Sequence, residues 1–188
     1  MDKSWHSDLP VEALEAFLQL LARRPEAPLL DLSAGYDLIS LAAGSGLSVA
    51  SIDCAREVLG AAREEDAIRL RLDDDSFGGV LCVGTFSRLP RSRAPELAAE
   101  IQRVLVPGGL AFASFAPAWE RLSIGSREPR SEVVRSGLLY RRRATGPAPL
   151  VVYQTREIEE MFRRMKIVSL VTQINGARRL IARKRAPA

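Results

Sequence analysis

Hydrophobic and polar positions alternate along this chain in two rhythms, one helical and one of period two. Val11, Leu14, Phe17, Leu18 and Leu21 fall on one face of a helix. Pro10 suits that helix's first turn, where a missing N–H costs nothing, and Pro25 and Pro28 end it. Leu29–Leu32 is a short apolar strand, Asp37–Ala43 a helix closed by Gly44 and Gly46, and Leu47–Ile52 a second strand. Ala55–Glu65 places Val58, Leu59 and Ala62 on one helical face. Ile68-Arg69-Leu70-Arg71-Leu72 alternates strictly and reads as a third, half-exposed strand near a sheet edge. A fourth apolar run covers Gly79–Gly84. Pro95–Leu105 is helical, Pro107-Gly108-Gly109 stops it, and Leu110–Phe115 is the fifth strand.

Residues 117–154 break the rhythm, being rich in Arg, Pro, Gly and Ser and too long for a simple connection. Helical spacing returns over Thr155–Met165 with Ile158, Met161, Phe162 and Met165. Two final strands, Ile167–Ile174 and Ala177–Arg183, flank Asn175-Gly176, a pair that favours a tight hairpin because both residues adopt positive φ. Strand–helix alternation demands right-handed crossovers and a parallel sheet, and the hairpin forces one antiparallel strand into it.

At 188 residues the chain fits one domain with a core of its own. No apolar run is long enough to span a bilayer, and MDKSWHSDLP lacks the core of a secretory signal, so a cytoplasmic protein without membrane attachment is expected. Cys54 and Cys82 have no zinc-type spacing and are expected as reduced, buried thiols; no metal site is indicated. Charge is uneven: residues 1–94 carry −5 and residues 95–188 carry +9. Since 24 of the 27 basic residues are arginine, a high-GC genome accounts for the bias as well as an acidic partner does.

Several segments together resemble class I S-adenosylmethionine-dependent methyltransferases of the small-molecule, type 11-like group. Asp31-Leu32-Ser33-Ala34-Gly35-Tyr36-Asp37 stands where that family has an acid followed by G-x-G-x-G. Ile52-Asp53 matches its ribose-binding acid at the end of strand two. DDDSFGGVLCVGTFSRLP is similar to the family's D-x-S-F-D-x-V approach to strand four, and AAEIQRVLVPGGLAFASF to its helix, P-G-G turn and strand five. TREIEEMFRRMKIVSLVTQINGARRLIARK resembles its closing helix and hairpin.

The resemblance implies an α/β, Rossmann-like fold: a seven-stranded mixed sheet in the order 3-2-1-4-5-7-6, strand seven antiparallel, helices on both faces. It implies one domain over 1–188, with a cofactor half at 10–116, a substrate-side segment at 117–154, a closing helix and hairpin at 155–183 and a basic tail at 184–188. It implies S-adenosylmethionine as cofactor, held by Asp31, Ser33, Gly35, Asp53, Asp73, Asp74 and Val83. No residue is identified as catalytic, because the family's His-His-Leu run is replaced by Ser87-Arg88-Leu89 and the single histidine, His6, lies in the N-terminal arm.

The cofactor turn departs from the family where Ser33 and Asp37 replace its outer glycines, which makes it a degenerate version of that loop. Asp37 either stands near the methionine moiety or caps the next helix. Asp53 either accepts the ribose hydroxyls or caps Ala55–Glu65. If Ile68–Leu72 is strand three, Asp73–Asp75 takes the place of the acidic loop beside adenine, unless it is a solvated turn. In a second register Glu65-Asp66-Ala67 falls on the family's G-D-A and strand three disappears. Two functions remain: methyl transfer to an unidentified acceptor, or a non-catalytic methyltransferase-like scaffold, a pseudoenzyme, acting through its basic half. Arg141-Arg142-Arg143 either binds an acidic partner or RNA, or is a solvated loop. Oligomeric state is not specified.

Overall fold

A computed structural model describes residues 11–23, 27–33, 46–52, 68–116, 138–139, 150–174 and 176–186. Its elements are α1 (Val11–Ala22), β1 (Leu29–Asp31), β2 (Val49–Ser51), β3 (Phe77–Cys82), a 3-10 turn (Phe86–Arg88), α2 (Ala94–Val104), β4 (Leu105–Phe115), β5 (Leu138–Leu139), β6 (Leu150–Val151), α3 (Thr155–Met161), β7 (Lys166–Thr172) and β8 (Arg178–Arg183). Six strands form the main sheet in the order β2-β1-β3-β4-β8-β7, and β5 and β6 form a separate antiparallel pair. β2, β1, β3 and β4 are mutually parallel. β8 is antiparallel to both β4 and β7.

Period-two alternation divides the core between the two faces of this sheet. Leu30, Val80, Cys82, Ala111, Ala113, Leu180 and Ala182 face α2 and α3, against Leu97, Ile101, Val104, Ile158 and Phe162. Their neighbours Leu29, Leu81, Val83, Leu110 and Phe112 face α1, against Leu14, Phe17, Leu18 and Leu21. The Phe17 and Phe112 rings lie 5.5 Å apart, joining helix to sheet. Gly79 permits the close approach of α1: a Cβ there would stand 2.4 Å from Leu21 Cδ1 and 2.9 Å from Leu29 Cδ1. The helical periodicity of Leu14, Phe17, Leu18 and Leu21 therefore marks the buried stripe of α1, as its spacing predicts.

The expected third strand does not form. Ile68 and Leu70 are buried and Leu72 partly so, as the alternation implies, but residues 68–72 pair with no strand. Their backbone groups bond to side chains of α2 instead. The Ile68 N–H donates to Glu96 Oε2 (3.0 Å) and the Leu70 N–H to Glu100 Oε2 (2.8 Å). Arg103 returns bonds to the Leu70 and Leu72 carbonyls at 2.9 and 2.8 Å. The main sheet thus has six described strands where seven were expected. The segments expected as strands two, one, four, five, seven and six keep that relative order.

Boundaries shift at two other places. α2 runs directly into β4, so Pro107-Gly108-Gly109 lies within the strand as an irregularity: Phe77 pairs with Leu105, but Gly79 pairs with Leu110. Gly108 takes φ 80° there, and the Gly108 and Lys184 N–H groups bond to Lys184 O and Gly109 O. The closing helix ends at Met161, and a turn carries Phe162 and Met165 into the core. Between β7 and β8 the Gln173 N–H donates to Ala177 O at 2.8 Å and Gly176 adopts φ 78°. Asn175, with which Gly176 was expected to form the turn, lies outside the described residues. So do His6, Cys54, the 55–65 helix and Arg141-Arg142-Arg143. Cys82 is buried, in line with the expectation for it. Among the described residues no helix is long and apolar enough to cross a membrane.

Two outcomes follow from this packing. Burial disfavours the charge of Glu100, but hydrogen bonds from Arg103 and the Leu70 N–H outweigh it and hold the carboxyl below its ordinary value of 4.5. A depressed folded-state pKa gives stability that is complete above the unfolded value and lost as pH falls through the folded one. Glu100→Gln should therefore flatten the loss of stability below about pH 4.5, and Glu100→Ala should cost about 1.5–3 kcal/mol at neutral pH, both read by urea unfolding. Gly79→Ala should cost about 1–3 kcal/mol by overpacking. The double variant with Leu21→Ala should fall short of additivity, because the smaller side chain frees the space the new methyl needs.

Candidate functional site

Parallel strands covered on both faces leave their ends for polar groups, and β1, β3 and β4 end together at one edge. β1 is also where the chain order reverses: β2 follows on one side of it and β3 on the other. Open α/β sheets bind ligands in the crevice at such a switch point, beyond the carboxyl ends of the strands.

Asp31, the last residue of β1, is 4% exposed there, and its Oδ1 accepts the Ser33 N–H at 2.9 Å. Ser33 in turn accepts the Val83 N–H through its Oγ at 3.1 Å. The Leu32 N–H donates to Leu81 O, and Thr85 Oγ1 donates to Leu32 O at 2.5 Å, so the turn after β1 is bound to the turn after β3 at three points. Ser114 Oγ accepts the Gly84 N–H at 3.1 Å, and Ser87 Oγ accepts the Ala116 N–H at 2.8 Å, which extends the belt across β4. The cause is local: a strand that runs out leaves amides unpaired, and a nearby hydroxyl satisfies each. Ser33 does this without backbone strain. Among the described non-glycine residues Asp75 alone has positive φ, at 54°.

Behind this belt stands an aromatic wall. Phe86 lies 5.2 Å from Phe115 and 5.6 Å from Phe162, and Phe115 lies 5.7 Å from Tyr153. The Arg91 guanidinium sits 5.2 Å over the Tyr153 ring; it also bonds Val152 O at 2.8 Å and pairs with Glu157. Burial pushes the Tyr153 phenol far above its usual range, against the opposing field of Arg91, so it stays protonated at neutral pH. A groove of about 700 Å³ between α2 and α3, lined by Pro95, Ala98, Met161 and Met165 among others, opens on the helical side of the sheet.

Of the residues expected to bind a cofactor, Asp31, Ser33 and Val83 come together here. Val83 does so through its backbone N–H, since its side chain is buried beneath α1. Gly35 and Asp53 lie outside the described residues, as do Asp37 and Asp66. Asp73 and Asp74 stand elsewhere. They precede β3, at the opposite end of the sheet from Asp31, which is paired with Leu81. Asp74 is bound to Arg103 at 2.6 Å, and that hydrogen bond holds its carboxyl below the ordinary value. Asp75 pairs with Lys184 at 2.5 Å, and Ser76 Oγ donates to Asp73 O at 2.7 Å. The expectation that Asp73 and Asp74 flank adenine depended on a strand at 68–72, and without that strand these residues form the N-terminal approach to β3. Sequence reasoning missed the roles of Thr85, Ser87 and Ser114, although hydroxyl residues within a few positions of strand ends are the signal for them.

Residues 30–113 match the methyltransferase domain family. No curated protein sequence matches the chain. Among solved structures, the PH0226 protein of Pyrococcus horikoshii superposes with a TM-score of 0.70 at 17% identity, covering 98% of this chain and 92% of that one. An S-adenosylmethionine-dependent methyltransferase of Clostridium acetobutylicum gives 0.68 at 11% identity, with 98% and 96% covered. The 1,6-didemethyltoxoflavin-N1-methyltransferase of Burkholderia thailandensis, solved with 1,6-didemethyltoxoflavin and S-adenosylhomocysteine bound, gives 0.63 at 19% identity, with 97% and 81% covered. At these identities the likeness is one of fold, and it agrees with the domain match, with the switch point at β1 and with the antiparallel β8 that dinucleotide-binding dehydrogenase sheets lack. Residues 30–113 thus resemble the methyltransferase domain family, and the described residues share the fold of S-adenosylmethionine-dependent methyltransferases.

Proposed function

We propose that this protein is a working S-adenosylmethionine-dependent methyltransferase, with its cofactor seated over the carboxyl ends of β1 and β2 and its acceptor over those of β3 and β4. One observation carries the reading: Asp31 is buried at the switch point with its carboxylate engaged by the Ser33 N–H. That contact fixes the start of the cofactor turn, and the Ser33–Val83 bond fixes it against β3. The residues fit the cofactor despite the missing first glycine, since the Ser33 hydroxyl is used between strands and its φ lies outside the left-handed region. Gly35 gives the turn a position without a side chain, and Asp53, two residues beyond β2, supplies a carboxylate for the ribose hydroxyls.

When bound, the cofactor supplies a methyl group on a positively charged sulfur. The chain's own task is then alignment and exclusion of water, since in-line transfer gains most from holding the partners at reacting distance. The belt of Ser33, Thr85, Ser87 and Ser114 holds the three strand ends in fixed relation. Tyr153 remains a neutral phenol and takes no proton from the acceptor at neutral pH.

Calorimetric titration with S-adenosylmethionine and S-adenosylhomocysteine tests this reading. Both should bind with one-to-one stoichiometry, and Asp53→Ala should weaken each by about 1.5–3 kcal/mol, the scale of hydrogen bonds to a charged group. Absence of binding by the folded protein would sink the proposal in favour of a non-catalytic scaffold.

A further inference from the structure

β8 begins beside the C-terminal end of β4, with Arg178 opposite Phe115 and Arg179 opposite Ser114. Alternation sends Leu180 and Ala182 towards α2 and α3 and Ile181 towards α1. Arg179 therefore shares the α1 face with Ile181, Phe112 and Ser114. Asp31 lies on that face too, two residues beyond Leu29. Asp31 and Arg179 thus mark two ends of one polar rim. They are separated by the strand spacings β1–β3, β3–β4 and β4–β8, about 14 Å in all. Between them the Gly84 N–H is bonded to Ser114 Oγ.

Several arginines are committed to carboxylates within the chain. Arg103 holds Glu100 and Asp74, Arg93 holds Glu96, Arg91 holds Glu157 and Arg163 holds Glu160. The Arg179 side chain makes no ion pair or hydrogen bond among the described residues, and its Nε is sealed from solvent with no acceptor. Burial works against its charge, and Glu12 on the first turn of α1 offsets part of that effect without forming a pair. A guanidinium does not escape this cost by losing its proton. Its Nη atoms are not sealed in this way, so an oxyanion arriving at the rim can meet them, and the planar fork of arginine matches a carboxylate in a two-point contact.

We propose that Arg179 binds a carboxylate of the methyl acceptor and so determines which acceptors are positioned over the ends of β3 and β4. This rests on the methyltransferase reading. The place of Arg179 decides which group it reads. It lies past β4, on the far side of the acceptor region from Asp31, so the carboxylate belongs to the part of the acceptor remote from the cofactor.

Benzoate and benzamide, alike in shape and different in charge, serve as probes, titrated by ligand-observed NMR into full-length protein saturated with S-adenosylhomocysteine. Wild-type protein should bind benzoate at least tenfold more tightly than benzamide. Arg179→Met should abolish that preference and Arg179→Lys should restore part of it, with S-adenosylhomocysteine affinity within twofold of wild type in both. Arg179→Gln replaces the methionine variant if melting shows the latter unfolded. Equal binding of the two probes to wild type, or a preference that survives in Arg179→Met, overturns the proposal. A tenfold loss of S-adenosylhomocysteine affinity in Arg179→Met also overturns it, by assigning the arginine to the cofactor's own carboxylate. Failure of wild-type protein to bind S-adenosylhomocysteine at all removes the methyltransferase reading and this proposal together. Retained cofactor binding without a benzoate preference removes this proposal alone.

Discussion

Among the described residues the polar groups are ordered by one constraint: β3 and β4 are covered on both faces. Along Val80–Cys82 and Leu110–Ala113 each residue is buried, alternately under α1 and under α2 and α3. A polar side chain inside those runs would need a partner within the core. Hydroxyls and charges are therefore displaced to the strand ends, and the two ends of the sheet acquire different chemistry.

At the N-terminal end of β3 the charges are paired. Arg103 bridges Glu100, Asp74 and two backbone carbonyls, while Lys184 reaches Asp75 at 2.5 Å and Arg103 O at 3.2 Å. This cluster holds residues 68–75 against the C-terminal half of α2. At the C-terminal end, among the described residues, hydroxyl-to-amide bonds and the contact of Asp31 with the Ser33 N–H hold the backbone. The placement agrees with the general site of ligands in open α/β sheets.

The arginine excess looks different in this light. Arg91, Arg93, Arg103 and Arg163 are each committed to a carboxylate within the chain, three of them next to α2. Of these, Arg103 and Arg163 belong to the basic half, residues 95–188, so part of its positive charge serves internal packing. Arg179 stands out against that background by its position at the rim and by a buried Nε on a side chain without an ion pair among the described residues.

What the sequence determined by itself is the set of faces and the order of units. Periodicity marked Leu14, Phe17, Leu18 and Leu21 as one buried stripe, and apolar runs located β3, β7 and β8 to within two residues and the C-terminal part of β4, because burial follows local spacing. The Asn175-Gly176 pair implied the reversal that makes β8 antiparallel. Alternation at Ile68, Leu70 and Leu72 was equally legible, and those residues do turn inward. Only the tertiary structure decided where their backbone hydrogen bonds go, since the competing acceptors, Glu96 and Glu100, lie some thirty residues away on α2. The same reason moved Asp73 and Asp74 off the site: an acidic run has no location until its neighbouring strand is known to exist. Likewise, no local pattern distinguishes Arg179 from Arg103. Among the described residues one is paired with carboxylates and the other is not, and that difference arises only when distant segments are brought together.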